Sequence, residues 1–179
     1  MSSKNTECTG SRRMSYLLRH DPEELDMDAE GWVPVDQLLK KLGITMEKLE
    51  YIVENNDKKR FGFNEDGTKI RAHQGHSSKL GIKIHFNEIQ FPTDYYHGTQ
   101  LLNVNLIEKF GLRSMTRDYV HLSKDIKTAT KVGARRGDTV IVLKIDGNQM
   151  KRDGYKIYES DNGVILTKEV PPKYLNRIK

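Results

Sequence analysis

The spacing of apolar residues changes once along this chain, and that change limits what the chain can build. Up to about residue 56 the apolar positions recur at helical intervals. Met14, Leu17 and Leu18 share a face within residues 11–20, and Met46, Leu49, Ile52 and Val53 share a face within "TMEKLEYIVENN" (45–56), with Thr45 placed to cap that helix. Between them, "EGWVPVDQLLKKLG" (30–43) reads as a short extended piece and then a helix, with Asp36 as the expected cap and Gly43 as the expected stop. "KKRFGFNEDGTKIRA" (58–72) alternates on either side of Glu-Asp-Gly, which is a hairpin pattern.

Helices followed by a basic hairpin form the pattern of a winged-helix module. Beyond that point the pattern becomes strand-like: "IKIHF" (82–86), "DYYHGT" (94–99), "DYVHLS" (118–123), "TVIVLKI" (139–145), "KIYES" (156–160) and "GVILT" (163–167). Helices are expected between them at about 100–110 and 125–132, and "FNEIQFPT" (86–93) reads as a connector. The chain is therefore expected to be α+β with two domains, 1–90 and 91–179.

Composition narrows the class. The 179 residues are 36% hydrophobic and 31% charged, with a formal net charge of +5, which suits a polyanionic partner. No run approaches the roughly 20 apolar residues of a membrane span. The start, "MSSKNTECTGSRR", lacks a signal-peptide core, so the expectation is a soluble intracellular protein, cytoplasmic or nuclear, with no membrane partner. Cys8 is the only cysteine, which removes intramolecular disulfides and cysteine-rich zinc sites.

Six stretches carry candidate chemistry. "LLRHDP" (17–22) sets Arg19 beside His20 where a helix ends; the pair can complement the helix dipole or hold a phosphate. "IRAHQGHS" (70–77) brings Arg71 with His73 and His76, either a polar loop or a weak His-x-x-His metal pair without further ligands. "YHGT" (96–99) and "YVHLS" (119–123) each pair a histidine with a nearby hydroxyl residue, and the glycine of the first would let a ligand approach the backbone. "VGARRG" (132–137) could hold a phosphate by bidentate arginine or be a solvated turn. "SDNGVILT" (160–167) is accounted for by a hairpin turn at Asn162-Gly163. There is no GxSxG and no P-loop.

Together with "EGWVPVDQLL", "GLRSMTRDYVHLS" and "VPPKY", these stretches resemble, in order and over about residues 15–178, the tRNA 2′-phosphotransferase family. The resemblance implies an N-terminal winged-helix-like lobe and a C-terminal ADP-ribosyltransferase-like lobe. It implies removal of the internal 2′-phosphate of spliced tRNA with NAD+ as co-substrate. The 2′-phosphate attacks C1″ of the nicotinamide ribose, nicotinamide leaves, and the 2″-hydroxyl then attacks phosphorus. The products are RNA 2′-hydroxyl and ADP-ribose 1″,2″-cyclic phosphate.

By resemblance Arg19, His20, Arg71 and Arg135 are catalytic, while Arg136 falls at a variable position. His97, His121 and Val164 stand at the His-His-Val triad. Gly98, Thr99, Arg117, Leu122, Ser123, Asn162 and Gly163 complete the expected NAD+ contacts. Valine at the third triad position argues against a protein-modifying enzyme. Ile165 replaces a usual tryptophan. No metal and no obligate protein partner are implied, and the chain is expected to act as a monomer on 2′-phosphorylated RNA, tRNA in particular. Two alternatives remain at this stage: an NAD-dependent enzyme that ADP-ribosylates terminal phosphates of RNA or DNA, and a non-catalytic winged-helix nucleic-acid-binding protein.

Overall fold

Helix α1 (Ser3–Arg19) turns Met14, Leu17 and Leu18 to one side, and all three are fully buried. Burial of such side chains stabilises by about 1.5–3 kcal/mol each. The structure, a computed structural model, describes residues 3–137 and 139–178. Among these are six α-helices and four antiparallel sheets. The chain divides into two units, the first ending at His85 and the second beginning at Phe86. Among the described residues no helix is long and apolar enough to cross a membrane.

In the first unit α1 is followed by strand β1 (Val33–Pro34), helices α2 (Val35–Leu42) and α3 (Met46–Glu54), and strands β2 (Phe61–Phe63) and β3 (Lys69–Ala72). The sheet order is β1-β3-β2, with Phe61 opposite Ala72 and Gly62 opposite Arg71. Strand period decides what faces the core. Ile70 and Ala72 are buried with Leu38, Leu49 and Phe61, which leaves Arg71 on the other face of β3.

Two helix boundaries match their signals. Gly43 adopts the left-handed conformation (φ 63°) that ends α2, and Thr45 accepts the Lys48 N–H at 3.3 Å to cap α3. Three expectations need correction. Asp36 does not cap α2; it lies in the first turn, after Pro34, and the Thr68 carbonyl takes the Val35 N–H at 2.9 Å. Helix α1 begins at Ser3, well before residue 11, because a polar start carries no apolar period to announce it. "IKIHF" forms no strand; Lys83 N–H donates to the Ala29 carbonyl at 2.8 Å, and the strand that follows is β4 (Asn87–Glu88).

The second unit continues with β5 (Asp94–Gln100), α4 (Leu101–Phe110), β6 (Leu112–Arg113), β7 (Val120–Leu122), α5 (Ile126–Gly133), β8 (Val140–Asp146), α6 (Gly147–Arg152), β9 (Ile157–Glu159), β10 (Ile165–Thr167), β11 (Glu169–Val170) and β12 (Leu175–Arg177). Two sheets dominate, β12-β8-β5 and β4-β9-β10-β7, and β11 pairs with β6. A two-way backbone bridge between Tyr96 and Ser123 (2.9 and 2.8 Å) ties the sheets together, so β5 and β7 run side by side. Tyr95, Leu122, Ile145, Met150, Ile157 and Tyr174 fill the core of this unit. Helix α5 closes on β5 at Gly98, where an added Cβ would lie 1.9 Å from the Ala129 carbonyl oxygen. Sequence had no apolar signal for α6, β11 or β12.

Candidate active site

Arg19 is the last residue of α1, and the helix does end at the "RH" pair: the Tyr16 carbonyl receives the N–H groups of His20 (2.8 Å) and Asp21 (3.2 Å). A helix end does not explain the arginine's burial, however. Arg19 is only 6% exposed, and arginine is rarely buried without a purpose for its charge. Its guanidinium lies 5.9 Å from the centre of the Phe61 ring. Arg71, on the outer face of β3, stacks on Trp32 at 4.3 Å, and one of its nitrogens stands 3.7 Å from Glu30.

After β3 the loop returns to the end of α1. Ser77 N–H donates to the Arg19 carbonyl at 2.7 Å, which satisfies one of the carbonyls a helix leaves open. Ser77 Oγ lies 2.7 Å from His20 Nδ1. His76, the preceding residue, is 6% exposed, and its Nε2 is buried with no hydrogen-bond partner. Burial, followed by the charges of Arg19, Arg71 and His20, pushes the His76 pKa down to about 4. That imidazole is therefore neutral at neutral pH. Arg19, His20 and Arg71, spread over 53 positions of sequence, thus lie close enough for their charges to act on one ring. A buried guanidinium, Arg19, and a half-buried one, Arg71, have the donor geometry to hold an oxyanion with more than one negative charge.

The second unit presents a different set of donors. His97 on β5 and His121 on β7 are neighbours because the two strands are bridged. His97 Nδ1–H donates to the His121 carbonyl at 3.3 Å. Burial lowers the His97 pKa and this hydrogen bond only partly offsets it, so the neutral ring offers Nε2 as an acceptor. His121 has the opposite tautomer. Arg117 donates to its Nδ1 at 3.1 Å, and a guanidinium can only donate, so the His121 proton sits on Nε2. One acceptor and one donor thus stand on adjacent strands.

The remaining expected contacts lie on strands and turns of the second unit. Thr99 is buried on the same face of β5 as His97, and Ser123 follows β7. The Leu122 side chain is taken up by the core, leaving only its backbone for a ligand. Asn162, Gly163 and Val164 form the turn between β9 and β10. There the Ser160 hydroxyl donates to Asn162 Oδ1 at 2.8 Å and accepts the Val164 N–H at 3.1 Å. Gly163 has φ 78°, which this turn requires. Arg135 lies on the one-turn 3-10 helix after α5 (Ala134–Arg136), with its side chain exposed.

A family description, RNA 2′-phosphotransferase, Tpt1 / KptA family, matches residues 5–169. The chain belongs to this family. It is 49% identical over 173 residues to a probable RNA 2′-phosphotransferase of Flavobacterium johnsoniae, covering 92% of this chain and 93% of the relative. A probable RNA 2′-phosphotransferase of Fusobacterium nucleatum is 43% identical over 171 residues, covering 92% and 94% of the two chains. One from Nostoc punctiforme is also 43% identical, over 175 residues covering 94% and 95%.

The match to the RNA 2′-phosphotransferase family takes in both sets of residues just described. Among the described residues no group of three or more His, Cys, Asp or Glu side chains could hold a metal ion. Trp32, His76 and Ser77 were not expected from sequence. Trp32 was a lone aromatic in an extended stretch, and His76 stood only in a weak metal spacing. The "HS" that follows "QG" gave no sign that it returns to α1.

Proposed function

We propose that this protein removes a 2′-phosphate from RNA with NAD+ as co-substrate, leaving RNA 2′-hydroxyl, nicotinamide and ADP-ribose 1″,2″-cyclic phosphate, and that spliced tRNA is its substrate. The observation that carries the reading is the gathering of Arg19, His20 and Arg71 around the buried, neutral His76 in a chain of the RNA 2′-phosphotransferase family. Three helices followed by a β-hairpin support a winged-helix-like first lobe. Strands β5 and β7, each with its histidine, support an ADP-ribosyltransferase-like second lobe.

The residues divide the work. Arg19 and Arg71 hold the non-bridging oxygens of the 2′-phosphate, with the Arg71 plane fixed by Trp32. His20, oriented by Ser77, contacts the same phosphate. By the family likeness Arg135 is a further arginine of the reaction. The donor set of the second unit fits the polar groups of NAD+: His97 accepts from a ribose hydroxyl, and His121, its tautomer set by Arg117, donates to an oxygen. NAD+ supplies an electrophilic ribose carbon and a neutral leaving group. Val164 offers no carboxylate to activate a different acceptor. Holding the phosphate in place and compensating its charge then provide the rate without a protein nucleophile.

The test is incubation with a short RNA bearing one internal 2′-phosphate, with and without NAD+, followed by mass analysis of both products. The expected result is conversion to 2′-hydroxyl RNA and cyclic phosphate only when NAD+ is present. Release of inorganic phosphate without NAD+, or an ADP-ribosylated RNA that accumulates as the end product, overturns the reading.

A further inference from the structure

The loop after β3 places His76 against the segment that flanks Arg71. Gly31 has φ 81°, and a Cβ built on it would lie 3.0 Å from His76 Nε2 and 3.3 Å from Ile82 Cγ2, so the ring packs directly on the Gly31 backbone. Gly31 is the middle residue of Glu30-Gly31-Trp32, the segment whose outer two residues flank the Arg71 guanidinium. The ring's other neighbours in charge are Arg19 and His20 at the end of α1. His76 makes no hydrogen bond through Nε2 although that atom is buried, so its shape rather than this nitrogen holds the arrangement.

We propose that His76 is a positioning residue of the phosphate site: its buried ring seats the Glu30–Trp32 segment against Arg71. This rests on the reading of Arg19, His20 and Arg71 as the RNA-phosphate site. The physical need is plain. Two guanidiniums facing one phosphate repel each other until it arrives, so the Arg71 plane has to be held in advance. A cationic side chain in that place would add to the repulsion. The low pKa of His76, about 4, keeps it from being one at neutral pH.

Trp32 makes this testable, because it is the only tryptophan and stacks on Arg71, so its emission reports the seat directly. The probes are a short RNA with one internal 2′-phosphate and its 2′-hydroxyl twin, titrated into the full-length protein while Trp32 fluorescence and thermal midpoint are recorded. Arg71→Ala is the control for the site itself. It is expected to abolish discrimination between the two RNAs, and if it does not, the phosphate-site reading fails whatever His76 does. Given that loss, His76→Ala is expected to reduce discrimination by tenfold or more and to shift Trp32 emission to the red in the free protein. His76→Phe, which keeps a ring without nitrogens, is expected to stay within threefold of wild type. If His76→Ala does not fold, His76→Asn, which withdraws the ring and stays uncharged, takes its place with the same expected loss. Wild-type discrimination in the ring-less variant overturns the positioning role. Equal loss in His76→Phe overturns it as well, since the ring nitrogens would then be what the site uses.

Discussion

His20 and Ser77 stand 57 positions apart and meet at 2.7 Å, ring Nδ1 to hydroxyl Oγ. The same serine gives its N–H to the Arg19 carbonyl. One residue on the loop after β3 therefore fixes both members of the "RH" pair, the arginine through its backbone and the histidine through its ring. The pair's position depends on the hairpin being folded, and through Ser77 the proposed phosphate site of the first unit is a tertiary feature.

Ser77→Ala should lower turnover of 2′-phosphorylated RNA by about five- to tenfold, the scale of one ordinary hydrogen bond. Ser77→Thr should restore most of it by returning the hydroxyl. Steady-state rates at saturating NAD+ measure this, and a Thr variant as slow as Ala would show that the hydroxyl is not what the site uses.

Arg71→Lys keeps the charge and loses the plane that stacks on Trp32. Lysine cannot offer two parallel N–H groups to one phosphate. Turnover should fall on the order of 10²-fold, the scale of losing a preorganised transition-state donor. A lysine variant within threefold of wild type would mean that charge alone suffices.

Gly98→Ala separates packing from ligand contact. The new methyl would press on the Ala129 carbonyl of α5, and neither strand nor helix backbone can move away cheaply. Overpacking of this kind costs about 3 kcal/mol. The thermal midpoint should drop even with no NAD+ present. An unchanged midpoint with weakened NAD+ use would instead place the glycine at the ligand.

Much of this was legible in the sequence, and the reasons are local. Thr45 and Gly43 act through their own side chain and backbone, so their signals survive any context. Asp36 failed as a cap because a carbonyl from the hairpin, Thr68, reached the amide at the helix start. "IKIHF" alternates as a strand should but pairs with no strand, and alternation cannot supply a partner. The arginines of the site were named from a family likeness rather than from spacing. His76 was visible as a letter but not as a buried ring, because the ring packs on Gly31, which lies far away in sequence.

Acid should expose the cost of burying His76. Its pKa falls from 6.5 to about 4 on folding, so between those values the unfolded chain binds a proton that the folded chain refuses. Stability therefore declines as pH drops from about 6.5 to about 4, by on the order of 3 kcal/mol at most for this group. His97, also lowered chiefly by burial, acts in the same direction. Thermal midpoints measured across that window should fall less steeply in His76→Phe than in wild type. Parallel slopes would show that His76 titrates normally in the folded protein.

The two histidines of the second unit make a prediction about tautomers. His121 is useful as a donor only while its proton stays on Nε2, and the Arg117 N–H on Nδ1 is what holds it there at 3.1 Å. Arg117→Leu removes that donor and lets the proton move to the wrong nitrogen, so KM for NAD+ should rise about five- to tenfold. Arg117→Gln removes the charge yet can still donate an amide N–H to Nδ1. If the arginine serves the tautomer, KM in the Gln variant should stay close to wild type. If it serves a phosphate of NAD+ by its charge, Gln and Leu should be equally poor. Initial rates over a range of NAD+ at fixed, saturating 2′-phosphorylated RNA decide between them. Either way kcat should change less than KM, because an interaction present before and during the reaction contributes to binding without accelerating the step itself.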